Sequence, residues 1–394
     1  MTNRIHRAWG PFWRAFVTTG MAWSALLVGW AQGPAKIDTL SSGVFYQRYL
    51  IDGPVSADVV TVDLRDTAIA LEAFQLHGLV PTSEQLRVLS DSGRHVLSGV
   101  NADFFSFQTG WPVGNTVMNW ELVLGLPSKR SHFLVSGRVR PYIERIAFFG
   151  AVLTSKGGTL PLWSVNSGAS ADQARFYSSR FGSDTGSDTA GVRILLRKQQ
   201  GSLAANDTTW FLVTGRLGSG KAVIPQDGGI LVVPDEVLAR SGGGLFVGDT
   251  VAVVVVFKPV TAHVAQVLGG AGRILRDGRC DTLENLSAEN LALKFQNDRH
   301  PRTFVGFDRD TTRLFLCTVD GRQESSRGMT FSEMADFLLS LGAWNAINFD
   351  GGGSTTMVVN GRVVNSPSDK TGERPVANVL AVVKIVNSSL MERK

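Results

Sequence analysis

Cysteine is nearly absent from this chain: Cys280 and Cys317 are the only two in 394 residues. With no CxxC pair a structural zinc site is not expected, and spacing alone leaves open whether the two thiols pair. Clustered positive charge is missing too. Thirty-nine Lys and Arg stand against 34 Asp and Glu, a formal +5. Three of those arginines, Arg4, Arg7 and Arg14, lie in an N-terminal segment without acids, and removing them leaves +2. No basic run stands out elsewhere, so nucleic acid is not an expected partner, because phosphate-backbone binding needs clustered Lys and Arg. After the N-terminal segment no apolar run is long enough to span a bilayer, and 251–257 reads as a buried strand. Neither GxSxG nor HExxH occurs. Gly215 to Lys221 fits GxxxxGK, but Ala222 replaces the required hydroxyl and Pro225 forbids the helix, which excludes a P-loop. Asp308-x-Asp310-x-Thr312 starts like a calcium loop, but Arg313 and Val319 occupy the positions that need Gly and Glu.

What is present begins with a leader. Arg4, His6, Arg7 and Arg14 precede an apolar stretch over 15–30, with Gly29 and Ala31 as small residues at cleavage spacing. Residues 1–31 therefore read as a signal peptide, which makes the protein secreted or periplasmic. The alternative is an uncleaved N-terminal anchor, in which case the membrane is met only through that segment. No Cys follows the apolar stretch, so a lipoprotein is not expected. The rest has globular composition, 43% hydrophobic and 19% charged, with 43 glycines pointing to many turns and short strands. No linker long enough to separate domains interrupts it.

The pattern alternates as in strands from about Gly43 to Ala73. Thr82, with Gln85 three residues on, predicts a helix opened by a capping box and ended at Gly93, followed by a strand over 95–100. Short apolar runs at 194–196, 210–213 and 230–233 predict strands in a loop-rich middle region. Thr330 and Glu333 predict a second capping box, with Met329 and Met334 as its hydrophobic staple. Phe331, Met334, Ala335, Leu338 and Leu339 form the buried face, and Gly342 is the stop. A strand over 343–349 follows. The same local plan thus occurs twice: helix, Gly, strand, then Asn-x-Asp, ending in Asn101 and Asp103 and again in Asn348 and Asp350.

The strongest motif is Asp350-Gly351-Gly352-Gly353-Ser354. Three glycines in a row cost backbone entropy and make sense where the chain turns sharply or approaches a ligand closely; a plain tight turn is the alternative. His300-Pro301-Arg302 sets a titratable ring beside a guanidinium, the natural two-pronged ligand for phosphate. Asp320-Gly321-Arg322 follows an apolar run and reads equally as a hairpin turn. Glu373-Arg374-Pro375-Val376-Ala377-Asn378 carries another isolated arginine.

With Asn360-Gly361, Asn365-Ser366-Pro367 and Val100-Asn101-Ala102-Asp103-Phe104-Phe105, these motifs resemble the phosphodiester glycosidase family. Asp103 departs from its commoner Gly. The resemblance implies an α+β fold: a single domain over 43–386 with extensive mixed or antiparallel β-sheet flanked by a few helices, and 387–394 as a tail. It implies a hydrolase that cleaves the glycosidic bond of a sugar-1-phosphodiester. A phosphate leaving group departs as a weakly basic anion, so charge stabilisation matters more than protonation. Asp350 is then the expected nucleophile or base, Asp320 the second carboxylate and His300 a proton donor or phosphate partner. Arg302 and Arg374 are the expected phosphate ligands, and Asn101, Asp103, Arg322, Gly351, Gly352, Gly353, Ser354 and Asn378 complete the binding set. No metal ligand set and no cofactor is expected. A divalent cation held by Asp103, Asp320 and Asp350 belongs to a rival reading, a metal-dependent phosphodiesterase. The other rival is a non-catalytic glycan-binding or exopolysaccharide-assembly protein, using aromatics such as Trp111, Trp120 and Trp163.

Overall fold

The computed structural model describes residues 33–168, 172–186, 190–240 and 245–385. The expected leader over 1–31 and tail over 387–394 lie outside the described residues. Among those described, no helix is long and apolar enough to cross a membrane.

Sheet dominates. There is an eight-stranded sheet, two five-stranded sheets, a two-stranded ribbon and a closed seven-stranded barrel. The extensive sheet and few helices match expectation, and the fold is broadly α+β-like but predominantly β. Among the described strands pairing is antiparallel, except where Thr159–Val165 runs parallel to Ala174–Ser178 in the barrel. The barrel is built from the loop-rich middle region. Its predicted strands become Val192–Gln200, Asp207–Leu217 and Gly228–Val233, and Thr250–Lys258 closes it against Ala147–Thr154. Alternate residues such as Ile194, Leu196, Phe211, Val213, Val253 and Phe257 fill its interior. Closure leaves no exposed strand edge.

The site sits in the other half, which is layered helix, sheet, sheet, helix. In the eight-stranded sheet Val55–Asp63 pairs with Arg313–Val319, and Arg302–Phe307 lies between that strand and Asn345–Asn348. In the facing five-stranded sheet His95–Asn101 lies between Met357–Val359 and Val379–Lys384. One apolar cluster fills the space between them, with Val60, Val62, Val305 and Leu316 from the first and Leu97, Val100 and Leu380 from the second. The residues between these on the first sheet, Val59, Phe304, Phe315 and Cys317, point the other way into a second cluster beneath the helix Phe331–Leu341. The pleat alternates side chains between faces, so a sheet covered on both sides needs apolar residues in both registers. Each such fully buried side chain contributes about 1.5–3 kcal/mol.

The late helix forms as predicted. Thr330 accepts from Glu333 N–H, Glu333 caps back, and Gly342 takes the left-handed conformation at φ 89°. Leu339 is a correction: it is 40% exposed, and Phe337 is buried in its place, because the inward face centres on Met334 and Leu338. The first helix, Thr82–Asp91, also forms, but without the capping box. Pro81 occupies the cap, placing Thr82 inside the helix. The Gln85 amide donates instead to the carbonyls of Val80 and Val376. Both cysteines are free, Cys280 exposed and Cys317 buried.

Candidate active site

The two Asn-x-Asp copies end adjacent strands of the two facing sheets, and they meet. Asp350 N–H donates to Ala102 C=O at 2.8 Å. The Asn101 side chain donates to Asp350 C=O at 2.7 Å and accepts from Thr303 Oγ1 and Thr356 N–H. The backbone of Asp350 is thereby clamped while its carboxylate stays available.

That carboxylate faces a cavity of about 280 Å³ lined also by His300, Arg302, Arg322, Arg374 and glycines 351–353. The triple glycine explains the close approach of the cations. A Cβ on Gly353 would lie 2.3 Å from Arg374 Nη2, and Gly352 combines φ 62° with Arg322 Nη2 at 3.2 Å from where its Cβ would stand. Side chains at either position would push the guanidinium groups out. Arg322 itself adopts φ 60°, sparsely populated for a residue with a Cβ, the kind of strain that concentrates at functional sites.

The three arginines differ in what they have left to give. Arg302 is buried, donates from Nε to Met329 C=O and from Nη2 to the carbonyls of Phe295 and Asp298, and is sandwiched between the rings of Phe295 and Phe331. Burial lowers its pKa to about 10. It holds the cavity wall and offers only Nη1. Arg374 is ion-paired with Asp369 at 2.6 Å. Arg322 is exposed and has no carboxylate partner among the described residues. Of the expected phosphate ligands, Arg302 and Arg374 thus have donors already engaged, whereas the guanidinium of Arg322, expected in the binding set, is unspent.

Burial pushes the Asp350 carboxyl up to about 6, against the Ser354 hydroxyl and the charges of Arg374 and Arg130, which favour ionisation. His300 is lowered, first by burial and then by the neighbouring charges of Arg302 and Arg322.

Not every expected residue reaches the cavity. Asp320 is buried away from its lining and accepts from Asn365 Nδ2 and Ser366 N–H. Asp103 is fully buried, its oxygens accepting from Asn378 Nδ2 and Gly269 N–H, with its pKa held well above the ordinary carboxylate range by burial. Asn378 returns the bond by accepting from Asp103 N–H at 2.9 Å. Asn101, Asp103 and Asn378 are thus braces behind the site, and Ser354 is buried beneath the turn. Asp103, Asp320 and Asp350 do not converge, and among the described residues no group of three His, Cys, Asp or Glu is placed to share a metal ion. Sequence reasoning missed Phe104 and Phe295, which line the cavity in edge contact at 6.1 Å, and Arg130, which lies over Phe104. Phe104 follows Asp103 inside a recognised motif; Arg130 had no local signal. Trp120 and Trp163 are exposed and Trp111 is partly buried against Phe181, but none lines this cavity.

Residues 201–383 match the model of the phosphodiester glycosidase family, which bears out the resemblance read from the motifs. The chain is 39% identical over 124 residues to N-acetylglucosamine-1-phosphodiester alpha-N-acetylglucosaminidase of Mus musculus, covering 29% of this chain and 23% of that protein. The enzyme of the same name from Bos taurus is 41% identical over 111 residues, covering 26% and 21%. The alignments thus span less than a quarter of either relative's length. A solved structure from Synechocystis shares the fold, with a TM-score of 0.73 at 22% identity over 90% of this chain and 64% of that one.

Proposed function

We propose that this chain hydrolyses the glycosidic bond of a sugar-1-phosphodiester, releasing the sugar and a phosphomonoester. The observation that carries the reading is the facing of one half-buried carboxylate, Asp350, and one unspent guanidinium, Arg322, across a single cavity. Above pH 6 Asp350 is mainly ionised and can attack the anomeric carbon or take a proton from the attacking water. Arg322, with Arg374 and Arg302 Nη1 beside it, stabilises the departing phosphate. The bound diester's negative charge raises the pKa of His300, which lets it share a proton with the leaving oxygen. The C–O bond breaks, the bridging oxygen leaves with phosphate, and water supplies the new sugar hydroxyl. Residues 43–386 form the catalytic unit in this reading, and residues 1–31 direct export.

Turnover of a panel of sugar-1-phosphodiesters in ¹⁸O-water tests the reaction. Label in the sugar is the expected result. Label in the phosphate would mean P–O cleavage, and binding without turnover would mean a glycan-binding protein.

A further inference from the structure

A second cavity, about 680 Å³, lies apart from the one that holds Asp350. Arg302 and Asp350 belong to one end of the strands Arg302–Phe307 and Asn345–Asn348; Phe307 and Asn345, at the other end, line this second cavity. Five residues of extended strand separate the two ends, about 16 Å. Four arginines line it, Arg140, Arg273, Arg276 and Arg309, against the single carboxylate of Asp277. Arg276 is neutralised by Asp281 and Glu284. The other three have no ion-pair partner among the described residues.

Arg273 is the telling one. It is only 8% exposed, its Nη2 donates to Ile143 C=O, and its buried Nε has no acceptor. The buried Tyr142 hydroxyl on the same wall is also unpaired. A buried donor left unsatisfied costs about 1–3 kcal/mol, and three arginine side chains without an ion-pair partner at one cavity suit an anionic ligand. At the rim Arg309 lies over the Trp344 ring at 5.1 Å, which holds its guanidinium in place. The volume exceeds what a bare phosphate fills and suits a few sugar rings.

We infer that this second cavity binds an acidic oligosaccharide, its carboxylate or phosphate groups on Arg140, Arg273 and Arg309. The inference does not depend on the reaction proposed above. Calorimetric titration of the full chain with trigalacturonate, a neutral trisaccharide and inorganic phosphate tests it. Trigalacturonate should bind one-to-one, and the Arg140→Gln/Arg309→Gln variant should bind at least tenfold more weakly while melting with the wild type, since both side chains are exposed. The neutral trisaccharide should not bind. No trigalacturonate binding, undiminished binding in the variant, or equal affinity for the neutral sugar overturns the inference. Inorganic phosphate binding as tightly as trigalacturonate would overturn its sugar component.

Discussion

Asn101 donates its side-chain N–H to the carbonyl of Asp350 at 2.7 Å, joining residues 249 positions apart at the ends of two different sheets. With the return contact from Asp350 N–H to Ala102 C=O, it fixes the main chain of the one carboxylate that faces the small cavity. In the proposed reaction, pre-organisation of this kind costs nothing at the moment of reaction.

Asp350→Asn keeps the shape of the side chain and all main-chain contacts. Its melting temperature should stay close to wild type while kcat falls about a thousandfold or more. An unchanged melt with full turnover would falsify the assignment.

The arginines should separate by readout. Arg322→Ala should leave the melt unchanged and lower kcat/KM roughly tenfold or more, about 1.4 kcal/mol of transition-state stabilisation. Arg302→Lys cannot keep three donors on the carbonyls of Met329, Phe295 and Asp298, so it should destabilise the fold by about 2 kcal/mol or more. Denaturant melts and initial rates on both variants decide it; a destabilised Arg322→Ala with normal kinetics would reverse the two roles.

The pH profile carries a sign. Folding raises the Asp350 carboxyl from 3.8 to about 6, so the folded chain keeps that proton longer than the unfolded one. Between these values the group's contribution to stability falls as pH rises, whereas activity that needs the carboxylate rises. kcat/KM should show an acid limb near pH 6. Asp320 is also raised to about 6 by burial, but it lies off the cavity, so Asp320→Asn should retain that limb. A limb near pH 4 in wild type, or its loss in Asp320→Asn, would move the titrating group elsewhere.

Export can be read directly. Expressed with its own N-terminus, the mature protein should begin near Gln32 when recovered from outside the cytoplasm. Recovery of the full-length chain from the cytosol alone would count against a leader.

Local chemistry was legible without the fold. The capping box of Thr330 and Glu333, the stop at Gly342, and the Asp-Gly-Gly-Gly turn after a strand all depend on residues within a few positions of one another, so their geometry is written in neighbouring side chains. Resemblance over the last ninety or so residues brought His300, Arg302, Arg322, Asp350 and Arg374 together as a group, and the cavity gathers all five. The division of labour inside the group was not legible. Asp320 and Asp350 are the same residue type in similar strand–Asp–Gly settings. What separates them is that Asn365 and Ser366 reach across to Asp320, whereas Asp350 lines the cavity. Arg302 reads as a phosphate ligand until Met329, Phe295 and Asp298 consume its donors. The barrel's closure and the pairing of Thr61 with Phe315 likewise depend on contacts far apart in the chain. Residue type and spacing determined which groups could do chemistry; burial and hydrogen-bond competition, which only tertiary contacts create, decided which of them remain free to do it.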